Sequence, residues 1–445
     1  MRNPADPLAA AIGNASLLGV GYFLIGRRVL AAVNLVVTVA LVVVLTTVAP
    51  YRWFELVVLG WWAVVVMHGW FAARDRVANR THRIIALVVT VLVFAAVGVL
   101  RFDAARIDNA IAEARRAGDC PAATRAVDRF WLGDRTANAP LVASERPTVE
   151  ACRRLETAAA ELTAALDGQP AVPAAFAQLR SVLHDLPGHE TMATTTLDAF
   201  LRRLPTKNAC TTASITDLLP TSPLPARPTI DRIGPPAYLA CGDRHLSDQD
   251  WPGARTWYQR LVDRYPANPL TPKAKDGITR ATQAQELATV RDLIQRGTYC
   301  TTPAKYSAAP PYGPGTNRAL FHGEDEYTAK FPPEWRAPDA AQAVLVVCLG
   351  AAEDGTPVRT CPYENKTFPE FPTNVTFHKI AIPLKAYELR TGAAVVDTKV
   401  EIGGASCPKV LEYESYIRDF GPPGDVRVAP SDDDIRAAFT GVVQK

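Results

Sequence analysis

"VLAAVNLVVTVALVVVLTTV", Val29–Val48, is a twenty-residue run without a charge, broken only by Asn34 and three threonines. At about 1.5 Å per residue such a helix covers roughly 30 Å, the hydrocarbon thickness of a bilayer. The run reads as a membrane span, and that reading sets the class of the chain. Outward from it, Leu56–Ala73 and Ile84–Leu100 are two further apolar runs, and Tyr51, Trp53, Trp61, Trp62 and Trp70 supply the amphipathic rings that favour membrane interfaces. Ala9–Ile25 is shorter and carries Gly13, Asn14, Ser16, Gly19 and Gly21; it reads as a span or as a re-entrant hairpin. The basic pair Arg27–Arg28 follows this run instead of preceding it, which argues against a cleaved signal peptide. Residues 1–102 are therefore a membrane region of three to four helices, and the bilayer is the first partner.

Charge and cysteine place the rest. Of 48 basic and 45 acidic side chains, residues 1–100 hold eight Arg (2, 27, 28, 52, 74, 76, 80, 83) against Asp6, Glu55 and Asp75. The remainder carries 40 basic and 42 acidic groups, without the concentrated positive field that nucleic acid requires. Helix parity puts Arg27, Arg28 and the Ala73–Arg83 loop on one face, and the Pro50–Trp53 loop with the long tail on the other, so the positive-inside rule puts the tail outside the cytoplasm. All eight cysteines (Cys120, Cys152, Cys210, Cys241, Cys300, Cys348, Cys361, Cys407) fall in that tail with no C-x-x-C pair, a usage that reads as structural disulfides in an oxidising compartment. The spacings suggest Cys120–Cys152 and Cys210–Cys241 as hairpin staples, and Cys348–Cys361 as a bridge between neighbouring strands.

Within the membrane region, "NASLLGVGYFLIGRRVLAAVNLVVTVALVVV" (Asn14–Val44) resembles the glycine-punctuated hairpins of TM2-like membrane proteins, through Gly19, Gly21, Tyr22, Gly26 and Arg27. The acidic residues of the TM2 turn are missing. Glu55 and His68 are thirteen residues apart, about 20 Å along one helix, too far for a proton relay. The two read as interfacial anchors.

Residues 103–214 read as α-helical hairpins: small and apolar residues recur at helical spacing on both sides of Gly118–Asp119, and Val149–Leu166, Ala171–Leu186 and Met192–Leu204 continue the pattern. Residues 215–237 hold Pro220, Pro223, Pro225, Pro228, Pro235 and Pro236 and read as an extended connector. In "YLACGDRHLSDQDWPGARTWYQRLVDRYPANP" (Tyr238–Pro269), Tyr238, Cys241, Gly242, Ala254, Tyr258 and Pro266 stand at the 4, 7, 8, 20, 24 and 32 spacing of a tetratricopeptide repeat, which this stretch resembles. His245 stands where that family has an aromatic, and Leu261 where it has Ala. The resemblance implies that Gly242 and Ala254 let two helices touch, that Pro266 ends the second, and that residues 238–298 form a helical-repeat domain. A peptide-binding face is expected to include Tyr238, His245 and Tyr258.

Residues 299–445 read as a β-rich, disulfide-containing domain, with strand patterns in Ala341–Gly350, in Val375–Leu389 and in the returning run after Arg390–Gly392, and with a terminal helix Asp432–Val442 whose Asp432–Asp434 run is a cap before it is a metal site. Two segments carry metal-capable groups: His184, Asp185, His189 and Glu190 in "HDLPGHE", and His322, Glu324, Asp325 and Glu326 in "FHGEDEY". Pro187–Gly188 turn the first, and the second reads as a charged surface loop. No metal, cofactor or catalytic motif is expected. The Arg-over-Lys and Ala-rich composition resembles that of actinobacterial envelope proteins. The chain thus reads as a multi-domain, membrane-anchored scaffold engaging a protein, peptide or cell-wall partner; an extracytoplasmic hydrolase with its site in the β domain is the other reading.

Overall fold

The computed structural model describes residues 6–74, 80–364, 369–414 and 421–445. Arg2 and Arg76, two of the arginines that set the charge bias, lie outside the described residues. The chain forms two compact units, Met1–Ala237 and Tyr238–Lys445.

The first unit opens with two short helices, α1 (Pro7–Ala15) and α2 (Val20–Leu24). Three helices long and apolar enough to cross a membrane follow: α3 (Arg28–Thr47), α4 (Arg52–Ala72) and α5 (Arg80–Ala117). At nine residues α1 reaches only about 14 Å, so the Ala9–Ile25 stretch is a hairpin that turns back, not a span. The reversal uses left-handed backbone at Leu17 and Gly19. Its broken ends leave carbonyls that apolar surroundings cannot solvate, and each long helix supplies a donor for one of them. Asn34 of α3 donates to the Leu17 carbonyl (2.8 Å), Trp62 of α4 to Ala15 (3.0 Å) and Thr90 of α5 to Ile12 (2.6 Å). Asn14 ties the two legs together, its Oδ1 accepting from the Tyr22 amide at 3.0 Å, and a Cβ on Gly21 would collide with the Ala10 carbonyl. Glu55 and His68 have separate partners, Arg101 at 3.2 Å and the Tyr22 hydroxyl at 2.7 Å, so no relay joins them.

α5 runs unbroken for 38 residues, carrying the chain from an apolar run into a polar helix without a joint at 102/103. Of the helices that follow, α6 (Cys120–Val127), α7 (Leu132–Ala137), α8 (Ala139–Ser144) and α11 (Glu190–Leu201) pack beside its polar half, and α9 (Arg146–Leu166) packs on α6, α8 and α11, with α10 (Val172–Asp185) and α12 (Ala209–Leu218) against α9. Ile107, Ile111, Ala126 and Phe130 form one core patch, and Cys120–Cys152 staples α6 to α9 as the spacing suggested.

The proline-rich stretch is not an extended connector. α12 ends at Leu218, and α13 (Arg227–Ser247) contains Pro228, Pro235 and Pro236. Pro228 lies in the first helical turn, where a missing N–H costs nothing, and Ile230, Ile233 and Ala237 are buried at helical spacing. That apolar stripe outweighs the amides lost at Pro235 and Pro236.

In the second unit α14 (Trp251–Arg264) and α15 (Thr271–Gln295) pack side by side. A six-stranded sheet follows: β1 (Ala319–His322), β2 (Leu345–Leu349), β3 (Glu353–Tyr363), β4 (Thr373–Glu388), β5 (Ala394–Ile402) and β6 (Asp425–Arg427). The order is β1-β2-β4-β3, with β5 and β6 also paired to β4, which is the spine. The one-turn helix α16 (Asp325–Thr328) follows β1, and α17 (Asp432–Val443) closes the chain, its Ser431 and Asp434 forming the reciprocal cap expected of the acidic run. Ile435, Phe439 and Val443 of α17 join Leu345, Ile382 and Ile402 in the main core. Val290 of α15 shares a second core with Tyr299, Val346 and Leu389, so helices and sheet are one unit without a division at 298/299.

The Cys348–Cys361 bridge is not formed. β2 and β3 pair one after the other along the same edge of β4, opposite β5, with Cys348 opposite Lys385 and Cys361 opposite Val375, ten residues apart on the spine. Ten strand residues are about 33 Å, against the roughly 4.4–6.8 Å between Cα atoms that a disulfide needs. Instead Cys300 pairs with Cys348 and Cys361 with Cys407. Cys210 and Cys241 are disulfide-bonded as well.

Candidate functional site

The repeat-like residues assemble, but as a seam and not as an open face. Tyr258 is fully buried, its ring held between Gly242 and Gly277, where added Cβ atoms would lie 2.5 and 2.6 Å from ring carbons. Its hydroxyl donates to Asp243 Oδ1 at 2.6 Å, and burial together with that carboxylate pushes the phenol well above its ordinary range. Tyr238 is also fully buried, stacked on Trp257 at 6.0 Å, and its hydroxyl accepts from Arg264 Nη1 at 2.8 Å. Ala254 is buried at the same seam, and α14 ends at Arg264, just before Pro266. His245 is half-buried, its Nδ1 2.7 Å from Asp250 Oδ2. Asp250 caps α14 by accepting from the Gly253 amide at 3.0 Å; this bond, and after it the histidine, holds its carboxyl below the usual range. The expected binding face of Tyr238, His245 and Tyr258 is therefore corrected: the tyrosines fill the space between helices, and His245 braces a cap.

The open surface lies on the other side of α14. Arg255, Thr256, Gln259 and Arg260 of α14 and Ile278 and Thr282 of α15 line a groove of about 560 Å³. Arg255 Nε is buried there without a hydrogen-bond partner. Arg260 stacks over the Trp257 ring at 4.4 Å, and Gln259 occupies the groove's carboxylate, Asp263, at 2.7 Å. The groove thus carries guanidinium groups on α14, one N–H donor of which is unanswered. The signal was present in the sequence: Arg255, Gln259 and Arg260 alternate with the buried Ala254, Tyr258 and Leu261, so one helix carries an apolar seam and a basic back.

Neither metal-capable segment converges. His184 points to solvent and meets Asp185 at 2.8 Å, whereas His189 is buried with Nδ1 2.9 Å from the Leu186 carbonyl and Nε2 3.2 Å from Thr148 Oγ1. Glu190 turns back to accept from the Gly188 amide. In the second segment Glu324 accepts from the Ala352 amide at 3.1 Å, and burial lowers the pKa of His322. Compared with protein-family models, with curated proteins and with solved structures, the chain finds no match in any of the three.

Proposed function

We propose that the chain is a membrane-anchored binding protein whose groove between α14 and α15 takes a carboxylate-bearing segment of a protein partner outside the cytoplasm. The observation that carries the reading is the buried, unanswered Nε of Arg255 in an open groove. A buried donor without an acceptor costs on the order of 1–3 kcal/mol, which a carboxylate oxygen recovers on binding. A guanidinium presents N–H groups in a planar fork that matches a carboxylate. Three membrane-length helices support the anchoring, and cysteines oxidised throughout the tail, with the arginine bias of the loops, support its placement outside.

The test has two arms. Protease added to intact spheroplasts is expected to digest the chain beyond α5, and complete protection reverses the topology. Acidic peptides selected on the full-length protein are expected to lose roughly tenfold or more in affinity to Arg255→Gln, since a charged hydrogen bond contributes about 1.5–3 kcal/mol. Unchanged affinity removes the groove as the binding surface.

A further inference from the structure

A second cavity, of about 340 Å³, lies in the first unit between Thr46 and Pro50, at the end of α3, and Arg135, Val142, Glu145 and Arg146 of the helices that follow α6. Arg135 and Arg146 are exposed, and neither guanidinium has a partner among the described residues. The acids beside them are already engaged. Glu150 is held by Arg153 and Arg154, both at 2.8 Å. Glu145 is buried, accepting from Thr148 Oγ1 at 3.1 Å; burial, with Asp108 nearby, holds its carboxyl above the usual range against the opposing pull of Thr148 and Arg115. The cavity therefore presents two cationic forks with little local charge to answer them.

Its position says what could. Arg101 pairs with Glu55 of α4 at 3.2 Å and donates to the Ala137 carbonyl at 2.9 Å, which ties α7 to the end of the long helices. At that end Trp131 is 58% exposed and Leu132 74%, as are Trp53 (59%) and Phe102 (67%), the aromatic and apolar mix of a membrane interface. We infer that this cavity binds the phosphate of an anionic phospholipid headgroup, with Arg135 and Arg146 on its oxygens and Trp131 and Leu132 among the upper acyl carbons. A lipid is favoured over a free anion because one wall is the last turn of an apolar helix. The inference rests on reading α3, α4 and α5 as membrane spans.

The experiment uses the full-length protein in phosphatidylcholine nanodiscs to which phosphatidylglycerol is added, with retained lipid counted by native mass spectrometry. The wild type is expected to retain phosphatidylglycerol selectively, and R135Q/R146Q to weaken that retention at least about tenfold with an unchanged melting temperature. Equal retention by wild type and variant, or equal retention of the two lipids, overturns the assignment. Displacement by millimolar inorganic phosphate alone overturns the lipid in favour of a free-anion site. Carbonate extraction separates the premises: a protein released from membranes sinks the spanning reading, whereas one that stays but ignores lipid charge sinks only this site.

Discussion

Tyr258→Ala is expected to unfold the α14–α15 pair well before the rest of the second unit. Truncating a fully buried aromatic side chain costs about 3–5 kcal/mol, through lost transfer energy and the cavity left behind. Here the cavity cannot close easily, because the ring is clasped by Gly242 on one helix and Gly277 on another, neither of which has a side chain to move in. In a unit of this size each kcal/mol lowers the melting temperature by about 2–4 °C. Hydrogen exchange of the α14 and α15 amides in the full-length protein gives the local reading, and a loss below about 1 kcal/mol there would show that the ring is not the keystone of the seam. Two companion changes identify the cause. Tyr258→Phe keeps the ring and removes only the 2.6 Å bond to Asp243, so it should cost about 0.5–1.5 kcal/mol, whereas Gly277→Ala drives a methyl against the ring and should cost about 1–3 kcal/mol.

That seam was legible because its signal is local: small residues and one large ring at fixed spacing can be read along thirty residues. The apolar runs of α3, α4 and α5, the hairpin helices α9 to α11 and strands β2, β4 and β5 were legible for the same reason. What escaped depended on distant partners. β3 carries Gly355, Pro357 and Pro362 and is exposed along most of its length, so it shows no alternation; it exists because β4 offers hydrogen bonds on one side, while its outer side is an edge that tolerates proline. The tandem pairing of β2 and β3 along β4 likewise decided which cysteines could meet, and no spacing rule along the chain contains that fact. α13 was hidden by its prolines, since composition counts them equally whether they stand in a first turn or an interior. At the groove the basic back of α14 was visible, but the unanswered Nε of Arg255 is a property of what surrounds it.

Replacing both Cys120 and Cys152 with Ala is expected to destabilise the first unit by about 3–4 kcal/mol, the loop-closure entropy that a cross-link over a separation of 32 residues removes from the unfolded chain. Packing adds to this. Both sulfurs lie against the buried Met192, at 3.8 and 3.9 Å from its sulfur, so the staple also packs on α11. The double variant should therefore lose protection in α6 and α11 together, and in the polar half of α5 that packs on them, while α3 and α4, which lie outside this contact, keep theirs. Reduction of the wild type with dithiothreitol should reproduce the same pattern in the first unit, and should also loosen the second, where Cys300–Cys348 fastens the segment after α15 to β2 and Cys361–Cys407 fastens the exposed β3 to the chain beyond β5. Thiol labelling under denaturing, non-reducing conditions gives the prior check. Protein from its native membrane should show no free thiol, and eight would remove the oxidising compartment from the argument, because a tail that keeps its cysteines reduced gives no reason to place it outside the cytoplasm beyond the arginine bias of its loops.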